Sequence, residues 1–314
     1  MEIVEAREGQ QLRYPHAVLT VGNFDGVHLG HQALFRLVVV RARQAGGTAI
    51  ALTFEPHPRQ ILAPHAAPPL LTSFEEKAQL IATCGIDVLV WTRFTPAFAE
   101  QRPREFVRAR LVEALAPREV VVGHDFRFGK DRAGDVVLLG KLGSEFGFRV
   151  HVVGPVAVGD VTASSSVIRT LIREGRVGEA ATLLGRPYVI AGRVVEGRKR
   201  GKGLGFPTAN VEPTSELIPP FGVYAARLTA KGEERPAVVN IGRNPTFEDV
   251  TCSIEAHVLD YAGDLYGEPV TLAFIERIRD EQKFPSPQAL VEQIHRDVAR
   301  ARRLLGQAEV PAPA

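Results

Sequence analysis

The chain is poor in cysteine. Only Cys84 and Cys252 occur in 314 residues, far apart and without neighbouring ligand residues, which argues against both a disulfide framework and a structural zinc site and fits a reducing cytoplasm. A dominant charge is also missing, since 38 Lys and Arg against 36 Asp and Glu leave a formal net charge of +2. Bulk electrostatics therefore draws the chain neither to nucleic acid nor to an anionic membrane, and any anion site has to come from local placement of donors. No apolar run approaches bilayer-spanning length, and Met1–Glu5 lacks a basic segment ahead of an apolar core, so neither secretion nor membrane insertion is expected. Internal repeats and long low-complexity stretches are absent too. What is present, 45% hydrophobic and 24% charged residues, suffices for sizeable cores and at this length suggests two domains.

Between residues 17 and 155, the apolar runs Ala17–Val21, Thr48–Phe54, Ile86–Trp91, Glu119–Val122 and Arg149–Val153 alternate with helical patterns. This predicts a parallel, doubly wound sheet. Ser73 and Glu76 form a capping box, and Pro103 suits a first helical turn. Two short helical pieces, Ser166–Glu174 and Val177–Leu184, bridge to a different texture beyond Arg186, where Tyr188–Val195, Gly222–Thr229, Ala237–Ile241, Cys252–Asp260 and Pro269–Ile278 read as strands of an antiparallel barrel or sandwich. A last helix, capped by Ser286 with Pro287 at its first position, aligns Leu290, Ile294 and Val298 for packing on the barrel, and the Pro/Ala-rich end after Gly306 is expected to fray.

The richest segment is Gly22-Asn23-Phe24-Asp25-Gly26-Val27-His28-Leu29-Gly30-His31, at a strand-to-helix junction. Free backbone N–H groups and the positive end of the helix favour phosphate there, and the glycines let main chain approach a ligand. His28 and His31, one turn apart, can steady charge building on an α-phosphate. Histidines that merely cap a helix at a tight turn fit the same spacing. Phe54-Glu55-Pro56-His57-Pro58 follows the second strand, where prolines could fix a loop offering Phe54 and His57 to a ligand, or simply a rigid turn. The loop 123–135 carries Asp125, Phe126 and Phe128 between glycines, which suits closure over a planar ring and equally suits a solvated, salt-bridged loop. Ser164, Ser165 and Arg169 place hydroxyls and a guanidinium at a helix start, able to hold triphosphate oxygens, although N-capping accounts for the serines alone.

In the second half, Gly201, Lys202 and Gly205 lead into Phe206-Pro207-Thr208-Ala209-Asn210. Such a loop can wrap phosphates and present Thr208 and Asn210 to Mg²⁺. It lacks the Gly-Lys-Ser/Thr ending of a P-loop, and Arg198-Lys199-Arg200, without interleaved aromatics, is weak evidence for an RNA partner. Strand alternation sets Ile254, Ala256 and Val258 on one face and Glu255 and His257 on the other, so Glu255 is either a surface residue or a positioned base.

Taken in order over residues 15–305, these motifs resemble those of bacterial bifunctional riboflavin kinase/FAD synthetases: a His-x-Gly-His element, Gly-x-Asp-Phe-x-Phe-Gly, Ser-Ser-Ser-Val-Ile-Arg, Pro-Thr-Ala-Asn, Asn240-Ile241-Gly242-Arg243-Asn244-Pro245-Thr246-Phe247 and the Glu255 segment Ile254–Asp260 followed by Asp264-Leu265-Tyr266-Gly267. Ser166 stands where Thr is common and Lys202 where Arg is often seen, and the two cations are not equivalent phosphate ligands. The resemblance implies a Rossmann-like nucleotidyltransferase domain with a parallel sheet over residues 1–185, an antiparallel β-barrel riboflavin kinase domain with a C-terminal helix over 186–306, and a flexible tail over 307–314. It implies ATP and riboflavin as substrates, FMN and FAD as products and Mg²⁺ as cofactor. It also assigns roles. Glu255 would be the kinase base and Thr208 and Asn210 the metal ligands. His28 and His31 would act in adenylyl transfer. Gly22, Phe24, Asp25, Gly30, Ser164, Ser165, Arg169, Gly201, Lys202, Gly205 and Pro207 would bind ATP, and Phe54, His57, Asp125, Phe126 and Phe128 the flavin. A nucleotidyltransferase for another phosphorylated substrate, or a regulator that binds flavin or nucleotide without turnover, is the alternative. The expected partners are small molecules, without nucleic acid or membrane.

Overall fold

The five apolar runs of the first half each form a strand in the structure, a computed structural model that describes residues 1–197, 205–245 and 250–306. They are β2 (Val18–Val21), β3 (Ala49–Glu55), β4 (Val88–Arg93), β5 (Glu119–Gly123) and β6 (Arg149–Val153). A short strand that the sequence pattern did not reveal, β1 (Glu2–Glu5), pairs in parallel with β4. The sheet order β1-β4-β3-β2-β5-β6 runs outward from β2 on one side and from β5 on the other. The carboxyl ends of β2 and β5 therefore flank the topological switch point, the crevice where open parallel sheets bind ligands.

Both faces of this sheet are covered, which is why β2 is buried at all four positions. On one face, helices α1 (Leu29–Gln44) and α3 (Phe74–Thr83) pack Phe35, Val38, Ala78 and Ile81 against Ala49, Ala51 and Leu89. The other face carries α6 (Val136–Phe146) together with α5 (Pro103–Phe106) and the wide helical turn Val107–Glu113, whose Leu139, Phe106 and Leu111 meet Leu19, Leu52 and Val120. Two shorter helices, α2 (Pro58–Leu62) and α4 (Pro96–Ala99), follow β3 and β4. The expected capping box is formed: Glu76 N donates to Ser73 Oγ at 3.1 Å and Ser73 N to the Glu76 carboxylate at 2.9 Å. A two-stranded hairpin, β7 (Ala157–Val158) and β8 (Val161–Thr162), precedes α7 (Ser165–Arg173) and α8 (Val177–Leu184).

The chain divides into two compact units, Met1–Ser165 and Ser166–Ala314. In the second, six antiparallel strands close into a barrel in the order β10-β13-β12-β11-β14-β9. These are β9 (Tyr188–Val195), β10 (Ala209–Pro213), β11 (Gly222–Ala230), β12 (Glu233–Pro245), β13 (Val250–Val258) and β14 (Pro269–Arg279). Pairing of β9 with β10 seals the ring. β10 was not foreseen as a strand, and β12 is longer than its apolar stretch because a two-residue turn, Lys231 and Gly232 with φ of 52° and 78°, continues the β11–β12 ladder to Ala230 and Glu233. Tyr224 and Phe274 meet edge to face at 5.3 Å and are fully buried. Each such side chain contributes about 1.5–3 kcal/mol relative to an exposed one.

The last helix, α9 (Pro287–Leu304), starts where the sequence places it, with Ala289 N donating to Ser286 Oγ at 3.2 Å. Val298 and Ala301 lie against Val223, Ala225 and Val238 on the outside of the barrel. The apolar stripe understates the contact, because buried charges share it. Asp297 accepts from Arg279 Nε at 3.0 and 3.1 Å, and Arg302 holds Asp260 at 2.7 and 2.8 Å.

Candidate active sites

In the first unit, the chain leaving β2 turns sharply to enter α1. Phe24 and Val27 adopt positive φ, 53° and 42°, and Phe24 is nonetheless buried, its ring 4.8 Å from Phe35 and 5.4 Å, edge on, from His31. Asp25, 4% exposed, accepts from Leu71 N at 2.9 Å, Thr72 N at 3.1 Å and Thr72 Oγ1 at 3.3 Å. Its carboxylate thus ties the loop before α3 to the turn, while its main-chain oxygen accepts from Ser165 Oγ at 2.9 Å.

His28 caps α1, its Nδ1 accepting from Gly30 N at 3.2 Å. The imidazoles of His28 and His31 stack with centroids 3.6 Å apart and an interplanar angle of 25°. Nδ1 of His31 is buried and, among the described residues, has no hydrogen-bond partner. Burial, then the neighbouring His28 and Lys77, hold His31 well below the usual histidine range. Two stacked imidazoles cannot both be cations cheaply. A side chain at Gly30 would meet His28 Cε1 at 3.0 Å, and one at Gly22 would meet the Phe24 ring at 2.7 Å. The turn therefore brings together Gly22, Phe24, Asp25, His28, Gly30, His31 and Ser165, with Ser164 adjacent in the chain. Arg169, 6% exposed, lies on α7 in the second unit.

The flavin candidates fall elsewhere. Phe54 packs with Phe94, Phe98 and Phe106 at 5.6–6.5 Å between centroids, a cluster extended through Phe128 to Phe126, which stack at 5.4 Å. Phe128 and Gly134 exchange main-chain hydrogen bonds at 3.1 and 2.9 Å, folding this loop back on itself. Phe126 is half-buried and Asp125 exposed, so they form its accessible rim. His57 is occupied as the cap of α2, accepting from Arg59 N at 3.2 Å.

Sequence reasoning passed over Lys77. It lies on the buried face of α3 with Ala78 and Ile81, only 6% exposed, with Nζ 3.8 Å from Glu55 Oε2 and 5.5 Å from the Phe74 ring centroid. A lysine at an apolar position of a helix was the available signal.

In the barrel, a pocket of about 230 Å³ is lined by Val195, Gly197, Pro207, Thr208, Asn210 and the loop from Tyr261 to Tyr266. Gly197 makes room for Asn210, because a Cβ there would lie 1.9 Å from Asn210 Nδ2. His257 Nδ1 lies 2.9 Å from the Pro207 carbonyl oxygen and Phe206 packs edge-on against His257 and His295, which fixes the entry to β10. Burial on β13 alternates as expected, with Ile254, Ala256 and Val258 buried and Glu255 half-buried on the opposite face. Glu255 is in register with Asn210 on β10 and Asn240 on β12, so these side chains share one face. Glu255 is not among the pocket-lining residues, whereas its neighbour Ala256 is. Gly205 is exposed with φ of 86°. Gly201, Lys202, Thr246 and Phe247, the Arg198-Lys199-Arg200 run and the tail after Gly306 lie outside the described residues. Among the described residues no group of three or more His, Cys, Asp or Glu is arranged for a metal. Thr208 and Asn210 supply neutral oxygens, a donor set that suits a Mg²⁺ ion carried by phosphates rather than a resident site.

A histidine-bearing helix start at the switch point of a parallel sheet, joined in one chain to a closed barrel with a carboxylate on its outer face, defines a two-domain transferase acting with nucleotides. Residues 11–167 match the family model described as FAD synthetase and residues 184–305 that described as riboflavin kinase. The bifunctional riboflavin kinase/FMN adenylyltransferase of Escherichia coli (strain K12) is 40% identical over 92% of this chain and 93% of its own length, and that of Pseudomonas fluorescens is 37% identical over 97% and 98%. This chain belongs to the bifunctional riboflavin kinase/FMN adenylyltransferase family. A crystal structure titled as a macrolide-efflux protein from Streptococcus pneumoniae is also similar, at a TM-score of 0.88 and 29% identity, covering 96% of this chain and 99% of that one. Among the described residues no helix is long and apolar enough to cross a membrane.

Proposed function

We propose that this chain phosphorylates riboflavin with ATP to give FMN and ADP, and then adenylylates FMN with a second ATP to give FAD and pyrophosphate. The kinase reaction is assigned to residues 186–306 and the adenylyl transfer to residues 1–185, with 307–314 as a tail. The observation that carries this reading is that the two histidines and the Asn210–Glu255 pair lie in different compact units, each matched by its own family model.

The two reactions ask for different chemistry. An alcohol is scarcely ionised at neutral pH, so its attack on the γ-phosphate calls for a base as the transition state forms. Glu255 meets that need, since no hydrogen bond or ion pair with the described residues engages its carboxylate. Thr208 and Asn210 would hold the Mg²⁺ that ATP brings, which neutralises phosphate charge, while Pro207 and the glycines of the preceding loop approach the nucleotide. The phosphate of FMN is already largely ionised near pH 7, so adenylyl transfer needs alignment and charge dispersal instead. The α1 N-terminus, with His28 and His31 at its start, supplies both, aided by the Ser164 and Ser165 hydroxyls. Phe126 and Asp125 offer an accessible aromatic surface with a polar edge to the flavin, with the buried Phe128 stacked behind Phe126. Partners are the small-molecule substrates, and the site of action is the cytoplasm.

Purified protein incubated with riboflavin, ATP and Mg²⁺ should yield FMN and FAD on chromatographic separation of flavins. Absence of both products would refute the reading.

A further inference from the structure

A lysine is seldom buried unless its charge does something there. Lys77 sits on α3 beneath the turn that carries His28 and His31, its stem in an apolar layer with Ala78 and Ile81 and its ammonium 3.8 Å from Glu55 Oε2. The groups that face it come from three other elements: Glu55 at the end of β3, Asp25 in the turn after β2, and His31 on α1, which carries His28 on its far face. Asp25 is itself committed to the main chain of Leu71 and Thr72, six and five residues before Lys77, so one carboxylate orders the approach to α3 while the other neutralises its lysine. Desolvation lowers the lysine and the two carboxylates only partly offset it, so the ammonium is held by its ion pair with Glu55 in a weakly screened interior.

Resting on the adenylyltransferase reading, we propose that Lys77 is a positioning residue for that reaction: its buried ammonium, anchored by Glu55 and Asp25, sets the potential at the His28–His31 stack so that His31 meets the triphosphate as a neutral hydrogen-bond donor. A neutral imidazole carries one proton. With Nδ1 of His31 buried and unpartnered among the described residues, the economical arrangement puts that proton on Nε2, where it can serve phosphate oxygens. Protonating both nitrogens would bury an unanswered N–H beside two other potential cations, His28 and Lys77.

Two variants test the assignment against a merely structural role. Lys77→Met removes the charge while keeping the length of the side chain. It should let His31 titrate at higher pH by proton NMR of the imidazole and should slow FMN adenylylation about tenfold, the rate equivalent of a change of about one pKa unit. Riboflavin phosphorylation by the same protein should be unchanged. Glu55→Gln, at a side chain 34% exposed, should move the His31 titration the opposite way, to lower pH, and carries the test alone if Lys77→Met does not fold. Titrations that stay in place, or that move in the same direction in both variants, would overturn the proposal, as would adenylylation by Lys77→Met within twofold of the parent. Conversion of FMN to FAD by the parent protein is read in the same assay: no FAD there refutes the adenylyltransferase reading itself, whereas FAD from the parent and from Lys77→Met alike refutes only the role of Lys77.

Discussion

Asn210 and Glu255 stand directly opposite one another on neighbouring strands of the barrel, so a carboxamide and a carboxylate share one face while Val211 and Ile254, the next pair along, are buried behind it. The proposed division of labour between metal ligand and base depends on that opposition. Glu255→Gln keeps the shape and removes the proton acceptor, so FMN formation should fall by about a hundredfold or more. Added FMN should still become FAD at the parent rate. Separating the flavins after single incubations with riboflavin or with FMN checks both halves of this expectation.

Gly197 and Asn210 give a second test in the same unit. A methyl group at Gly197 would sit 1.9 Å from Asn210 Nδ2, and the amide has to move. Gly197→Ala should cost the kinase about ten- to a hundredfold in kcat/KM for MgATP, the usual penalty for displacing a group by about 1 Å. FAD formation from supplied FMN should not change.

His28 serves as helix cap and as stacked imidazole, and the two roles separate by substitution. His28→Ala loses both and should destabilise the first unit by about 1 kcal/mol. His28→Asn keeps a capping oxygen, so its stability should stay near that of the parent. Both variants should lose adenylyl transfer while retaining riboflavin phosphorylation. Urea denaturation measured beside the two activities distinguishes them.

The pH dependence of stability should report on Glu119. Its carboxyl lies below the usual range chiefly because Arg41 donates to it, at 2.6 and 3.1 Å, with His151 Nε2 2.8 Å away. A carboxyl depressed on folding stabilises the protein above its unfolded value, near about 4.3, and that contribution is lost as pH falls through the folded value. Arg41→Gln should therefore lower the urea midpoint at pH 7 and converge on the parent below pH ~4. A constant gap across that range would contradict the assignment.

The inner strands were legible because parallel strands covered on both faces must be continuous apolar runs, as β2 and β3 largely are, whereas β6, an edge strand with no buried position, showed only through its valines. β1 was hidden by its edge position, which needs apolar residues on one side only. β10 was hidden because prolines bound it and only Val211 is buried along it. At the sites, residues whose spacing is local could be read: the His28 cap, the Glu255 face and the Ser73–Glu76 box. The partners of Lys77 and Asn240 could not, since the first depend on what packs over a helix face and the second on strand register, and both are long-range facts. His57, like His28, caps a helix through Nδ1, a local role that its proline-flanked position did not announce.

The sealed ring has a consequence for how the kinase half can vary. Sliding β13 by one position would turn Glu255 into the apolar interior and Ala256 outward, and in an open sheet such slippage is resisted only by the neighbours on either side. Here β9 and β10 complete the circle, so no strand can shift without every other strand following. Substitutions among the interior side chains can loosen this half or melt it as a whole, but they leave the relative placement of Asn210, Asn240 and Glu255 untouched for as long as the ring holds.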